Sequence, residues 1–459
     1  MSKFKEKFAR FRRWPHAWLA IILVVSFISH LGLLWFPNEM VLDEAYYVEA
    51  GREYLQQGEL QQAEHPPLAK LFITAGMQIF GDNPFGWRIM PAVFGLITIF
   101  FFYLICRELK FSNLVTNVAT AMVAFENSIY LMASVAMLDI FTVALMLGGF
   151  WAYLARKYPA AVALLALAAL CKLTAIFGVT AIGLHWLFFR RDRALTLAAS
   201  GLAAYVGVLL LIPGLEFILT GEWSNPLERA ATLVSVPTTI TFENSTHPSA
   251  VHPWQWVLGY QVMPFWWSPQ YISAVNPTVW ALTIPVFIWT AWLGIRRKHE
   301  TAFFAAAWIF ATLIVWIVIG YITDRITYIF YFVPIVGGIV VGIAVFMEKA
   351  LEWARRPSAQ FLATQIQASA DAIDIEDLTL ETQAEVIEAE ILPDTELIEE
   401  PPPVEIQALT DEDIPEDIRL QTKKRLKLVY WGIGIFLAAH LLFFLALSPF
   451  TGLWPVSQG

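Results

Sequence analysis

Eleven apolar runs, near residues 17–36, 89–106, 114–131, 133–154, 158–171, 173–189, 194–213, 278–295, 302–322, 326–347 and 428–447, are what most limits the fold of this chain. A run of about twenty apolar residues matches the thickness of a bilayer's hydrocarbon core. Repeated along one chain, such runs predict an all-α polytopic membrane protein, because only helices satisfy the backbone polar groups of each span internally. The fifth run is short. The first follows a basic stretch, Lys3 to Arg13, and no small-x-small cleavage site precedes Pro37, so it reads as an uncleaved span rather than a signal peptide.

Charge tests the count. Of the 30 Lys and Arg, 24 fall on one side when the spans alternate from a cytoplasmic N-terminus, and six fall on the other: Arg52, Lys70, Arg88, Lys172, Arg229 and Arg325. That asymmetry is the positive-inside pattern. The net charge of -9 is local, since residues 371–417 hold 18 of the 39 carboxylates and no Lys or Arg. Residues 1–16 read as a cytoplasmic basic N-terminus and 17–355 as the transmembrane core. Residues 356–422 read as an acidic, disordered cytoplasmic insert. Residues 423–459 read as the last span and an outer C-terminus. Cys106 and Cys171 both lie in apolar runs and read as fillers, neither a disulfide nor metal ligands. Gly338-Ile339-Val340-Val341-Gly342 reads as helix packing within the bundle.

Two outer segments, 37–88 and 214–277, are long enough to carry interfacial helices. The first holds Asp43-Glu44, which opens an amphipathic helix running to Leu55, then Glu64-His65-Pro66-Pro67-Leu68-Ala69-Lys70, then Arg88. Charge against a membrane is expensive unless it is used there. A carboxylate near an acceptor hydroxyl works as a general base, and cations beside it hold a phosphate as it leaves. N-capping is the competing reading of Asp43, and snorkelling that of Arg88, Lys172 and Arg325 taken singly. All of them on one side favour an anion site. The second segment is rich in Trp; an aromatic belt competes there with a lip covering a lipid or sugar. It also holds the sequon Asn244-Ser245-Thr246. No Walker motif, dinucleotide fingerprint or HExxH pattern is present. A substrate needing both base and cations outside the cell, without nucleotide, is a sugar activated on a lipid phosphate.

Leu42-Asp43-Glu44, His65-Pro66-Pro67-Leu68-Ala69-Lys70 and Arg88-Ile89-Met90-Pro91 resemble the first-loop pattern of the protein O-mannosyltransferases, which belong to the GT-C glycosyltransferases. Phe125-Glu126-Asn127-Ser128, Met137-Leu138-Asp139, Cys171-Lys172-Leu173-Thr174, Arg325 to Pro334 and the Trp-rich 252–267 extend the likeness over most of 37–345. The resemblance implies about 11 spans and an inverting transfer of a sugar, expected to be mannose. The donor would be a polyprenyl phosphate and the acceptor a Ser or Thr hydroxyl of an exported protein. It implies Asp43 as base with Glu44 in support, and Arg88, Lys172, Arg325, His65 and Lys70 as donor phosphate and sugar contacts. Glu126, Asn127, Trp266 and Trp267 would line the site, and Asp139 would be structural. No cofactor is expected to be required, although related enzymes use divalent cations; neither a metal site nor a nucleic-acid partner is expected. The setting would be the plasma (inner) membrane of a prokaryote, with the site on the non-cytoplasmic side. Two departures touch the acceptor: 214–277 is too short for the MIR domain of eukaryotic members, and Ala133-Ser134-Val135-Ala136 lacks the family's Arg. A transferase acting on a glycolipid or cell-wall glycan is the alternative within the same chemistry. A secondary transporter or flippase is the alternative from another class, and it would place its charges near mid-membrane on repeated helices.

Overall fold

The structure is a computed structural model that describes Trp14 and residues 16–56, 64–244, 246–267, 270–356 and 415–450. Most of the expected N-terminal segment and of the acidic insert, and the centre of the sequon at Ser245, lie outside the described residues. The chain divides into two compact units, one built from 1–348 with 435–459 and the other from 349–434.

Each expected span overlaps helical structure, although that at 114–131 is broken after Ala124. Six helices are long and apolar enough to cross a membrane: Pro84–Glu108, Leu173–Arg190, Ala194–Thr220, Glu300–Thr323, Ile329–Arg355 and Glu416–Leu447. Ala17–Leu31, Asn113–Ala124, Asp139–Leu154 and Tyr158–Cys171 are shorter apolar helices. The most apolar window of 329–355 is 89% buried and that of 194–220 only 17%, so the former lies inside the bundle and the latter at its edge. Close approach explains Gly338 and Gly342: a Cβ on the first would meet Trp308 and Ile309, and on the second would run into Val286.

We label the elements that carry the site α1 (Glu44–Gln56), α2 (Leu68–Phe80), α3 (Pro84–Glu108), α4 (Asp139–Leu154), α5 (Tyr158–Cys171), α6 (Ile176–His185), α7 (Ala194–Thr220) and α8 (Pro226–Thr238). α1 was legible in the sequence, but its buried face is Glu44, Tyr47, Val48 and Ala50, while Ala45 and Leu55 are exposed. α2 was not expected: its apolar residues serve the loop rather than a span. α3 starts sharply because Asn83 accepts the Gly86 N–H at 3.1 Å and Pro84 takes the first helical position.

The expected span 133–154 begins only at Asp139. Residues 133–138 are irregular, and all are buried. Non-helical backbone is tolerated at membrane depth only where protein groups satisfy it. Here Glu44 accepts the Ala136 N–H at 2.7 Å. The second long loop departs from an all-α design through an antiparallel ribbon, β1 (Val262–Trp266) with β2 (Tyr271–Ala274), whose register slips between Pro264 and Trp266. Proline cannot donate to a ladder, which suits a bulge.

Candidate active site

The paired carboxylates have opposite fates. Glu44 is fully buried. Its Oε1 accepts from Arg88 Nε at 2.9 Å and its Oε2 from Arg88 Nη2 at 2.7 Å. The Val41 N–H, at 2.8 Å from Oε2, and the Ala136 N–H complete the set. Arg88, equally buried, also donates to the carbonyls of Leu34, Pro37 and Glu39. Both side chains are saturated. This corrects two expectations: Arg88 has no donor left for a phosphate, and Glu44 has no lone pair aimed at a substrate. Together they lock the first loop onto α3.

Asp43 is the reverse. It precedes α1, and its main-chain carbonyl accepts the Tyr46 and Tyr47 N–H groups. No described residue donates to its carboxylate, so the capping role is not filled by the side chain. Burial raises its pKa to about 6; the Lys172 ammonium opposes that shift, and the Asp139 and Glu64 carboxylates add to it. Leu42, just before it, sits in the left-handed region at φ 49. That costs a non-glycine residue about 1 kcal/mol or more, and such strain gathers at functional positions.

Lys172 follows the last residue of α5, and Asp139 opens α4. The ammonium donates to both Asp139 oxygens, at 2.8 and 2.9 Å, and lies 4.9 Å from the centre of the Tyr331 ring. Asp139, expected to be structural, is therefore the partner of the predicted phosphate ligand. One of the three ammonium donors of Lys172 remains for a ligand.

Arg325 lies in an extended stretch that bridges to Thr241. Its Nε is buried without a partner, and no carboxylate pairs with it among the described residues. The charges of Asp43 and Arg325 both bear on Tyr328. Burial, with the fields of Lys172, Lys70 and Arg325, holds His65 well below its usual pKa. It is thus a neutral imidazole, suited to a hydroxyl rather than to carrying charge for a phosphate. Lys70 is buried and donates to the His65 carbonyl at 3.2 Å, so it supports the loop. Burial lowers its pKa to about 8.

The four residues expected to line the site do not gather there. Glu126 is fully buried and caps its own helix: Oε2 accepts from Ser128 Oγ and Ile129 N, and Oε1 from Asn276 N at 2.8 Å. Asn127 donates to the Phe444 carbonyl and accepts from Asn276 Nδ2, each at 3.0 Å. These bonds fasten the second long loop and the helix ending at Leu447 to the Glu126 turn. Trp267 is 71% exposed at the end of the ribbon, and Trp266 is half-buried in β1. Replacing Asn276 with Ala would strand several buried partners, each worth about 1–3 kcal/mol. The expected result is a lower melting temperature in detergent with an unchanged turnover per folded molecule. Tyr47, Tyr328 and Tyr331 escaped notice as site residues because aromatics beside a membrane read as belt.

Charges thus converge at the end of the bundle that carries the long loops, around Asp43, His65, Asp139–Lys172 and Arg325. Comparison with known proteins gives the setting. Residues 64–216 match the dolichyl-phosphate-mannose-protein mannosyltransferase family. A polyprenol-phosphate-mannose–protein mannosyltransferase of Corynebacterium glutamicum is 31% identical over 160 residues, 32% of this chain and 31% of that protein. The Mycobacterium tuberculosis enzyme of the same name is 27% identical over 155 residues, 32% of this chain and 30% of that protein. The matched stretch spans only about a third of these mannosyltransferases. The fold extends the likeness further. The protein O-mannosyltransferase Pmt1-Pmt2 complex of Saccharomyces cerevisiae, solved with its sugar donor, superposes with a TM-score of 0.68 at 10% identity, over 95% of this chain and 90% of that one. The fold of this chain is therefore similar to that of the yeast complex over nearly its whole length.

Proposed function

We propose that this protein is a membrane glycosyltransferase that moves a sugar, mannose in the first instance, from a polyprenyl phosphate to a Ser or Thr hydroxyl of an exported protein. The observation that carries the proposal is the unpaired Asp43 carboxylate, which feels the charges of the Asp139–Lys172 pair and shares Tyr328 with Arg325, whose Nε is buried without a partner. Asp43 takes the proton of the acceptor hydroxyl while that oxygen attacks the anomeric carbon. The bond from that carbon to the phosphate oxygen breaks, and the polyprenyl phosphate leaves with the electron pair. Attack opposite the leaving group inverts the anomeric centre. Arg325 and the remaining donor of Lys172 meet the charge of the departing phosphate. No general acid is needed, because a phosphate leaves as an anion, and the reading needs no metal. The relatives' names support the donor and acceptor classes. The positive-inside pattern supports a site on the non-cytoplasmic side, and the bacterial relatives support the plasma membrane of a prokaryote.

The test is purified protein incubated with labelled polyprenyl-phosphate mannose and a Ser/Thr-rich peptide, with products read by mass spectrometry. Mannosylated peptide is the expected product. Sugar appearing only on a glycolipid or glycan acceptor would move the assignment to that class, and no transfer to either would end it. Arg325→Ala should raise the donor KM about tenfold or more, the scale of a lost hydrogen bond to a charged group, while Arg325→Lys recovers part of it. A donor KM unmoved by both substitutions removes Arg325 from the phosphate.

A further inference from the structure

Two helices flank residues 357–414: α9 (Val333–Arg355) and α10 (Glu416–Leu447). α10 has 32 residues, about 48 Å of helix. Its apolar part begins at Leu428. A hydrocarbon core about 30 Å thick is crossed by that part alone. The turns at 416–427 therefore project beyond it.

These turns are basic. Arg419, Lys423, Lys424 and Lys427 are exposed, and Arg425 is half-buried. The end of α9 adds Arg355 and Arg356, both exposed. The Arg425 guanidinium lies 5.3 Å from the centre of the Trp353 ring, which joins the two helix ends into one surface. None of these cations has a carboxylate partner among the described residues. No Asp or Glu occurs from 418 to 447. Arg419, Lys423 and Lys427 recur at four-residue spacing, which stacks like charges on one face and weakens a helix. Orienting a span needs cations beside the membrane, yet Arg419 stands two turns farther out than Lys427.

The chain between the helices has the opposite composition. Residues 371–417 hold 18 carboxylates and no Lys or Arg. This stretch is tied to the basic surface at both ends, by Arg356 and by Pro415. Tethering of that kind gives a segment an effective concentration in the millimolar range, and a free polyanion has to compete with it.

We propose that the exposed basic face at the end of α9 and the start of α10 is the docking site of the chain's own acidic insert, residues 371–413. The insert supplies the carboxylates that the basic turns lack. It also covers them against other polyanions, anionic lipid headgroups first among them. The inference is independent of the transfer reading above.

The experiment treats the full-length protein in phosphatidylcholine nanodiscs with a carbodiimide. The reagent joins a lysine amine to a touching carboxylate as an amide, with loss of water, and the linked peptides are read by mass spectrometry. Links from Lys423, Lys424 or Lys427 to carboxylates of 371–413 within one chain are expected, and they should vanish in about 1 M salt, which screens exposed charges. A variant combining Lys423→Gln, Lys424→Gln and Lys427→Gln is then digested with a glutamate-specific protease. Cleavage within 371–413 should rise about tenfold over wild type, the scale of three exposed charge pairs lost together. The melting temperature should hold, because the substitutions remove no described contact. The links should persist in phosphatidylglycerol nanodiscs. Their loss there assigns the face to lipid headgroups and overturns the inference. Links found only between chains assign it to a second copy and overturn it too. So does a lack of links in phosphatidylcholine, or a cleavage rate that the triple substitution leaves unchanged.

Discussion

Asp43→Asn should lower sugar transfer roughly a hundred- to ten-thousand-fold, the usual worth of a positioned general base, in a protein that inserts and melts like the wild type. The substitution keeps shape and removes charge from a side chain that no described group holds. Burial raises the pKa of this carboxyl to about 6. A group whose folded pKa is raised adds stability at acid pH and withdraws it as pH rises through the folded value. The variant should therefore be no less stable than the wild type at neutral pH. Activity carries the opposite sign, because the base must be deprotonated: the wild-type rate should fall as pH drops through about 6. The residual rate of the variant should lack that limb. Near-normal transfer by Asp43→Asn, or an acid limb that survives in it, would remove Asp43 from the chemistry.

Arg88→Ala should act on folding rather than on the donor. The substitution leaves the Glu44 carboxylate buried with only two backbone donors. Breaking one side of a buried ion pair costs about 3–5 kcal/mol, a large part of a typical domain's stability. The expected result is a low yield of folded protein and a clearly reduced melting temperature, with the donor KM of the surviving fraction unmoved. Arg88→Lys should rescue little, since an ammonium cannot reproduce a fork that donates to three carbonyls and both carboxylate oxygens. A stable Arg88→Ala protein with a raised donor KM would return Arg88 to the phosphate site.

The contrast between these two residues marks how far the sequence could be read. Span positions were legible because apolar length leaves helices little choice. The side of the bundle holding the chemistry was legible because six cations stood apart from 24. Asp43, Lys172 and Arg325 were found from their place at the ends of apolar runs. Role was not legible in the same way. Asp43 and Glu44 are adjacent and both acidic, and only the pairing geometry says that one is clamped and the other is open. Glu126 and Asn127 fall in a motif yet serve as a fastening, because their partners at 276 and 444 are remote in the chain. The ribbon at 262–274 was missed because its turn and its Trp residues read as interface.

Glu44 is bonded by three stretches of chain at once: the turn at Val41, the helix carrying Arg88 and the irregular segment at Ala136. That segment ends at Asp139, the partner of Lys172. Loop, helix and cation are thus keyed to a single carboxylate, so partial assembly is disfavoured: the reactive acid does not reach its station while the ammonium waits elsewhere. Under the proposed function, such all-or-none closure would guard a lipid-borne sugar from being spilled to water by a half-formed centre.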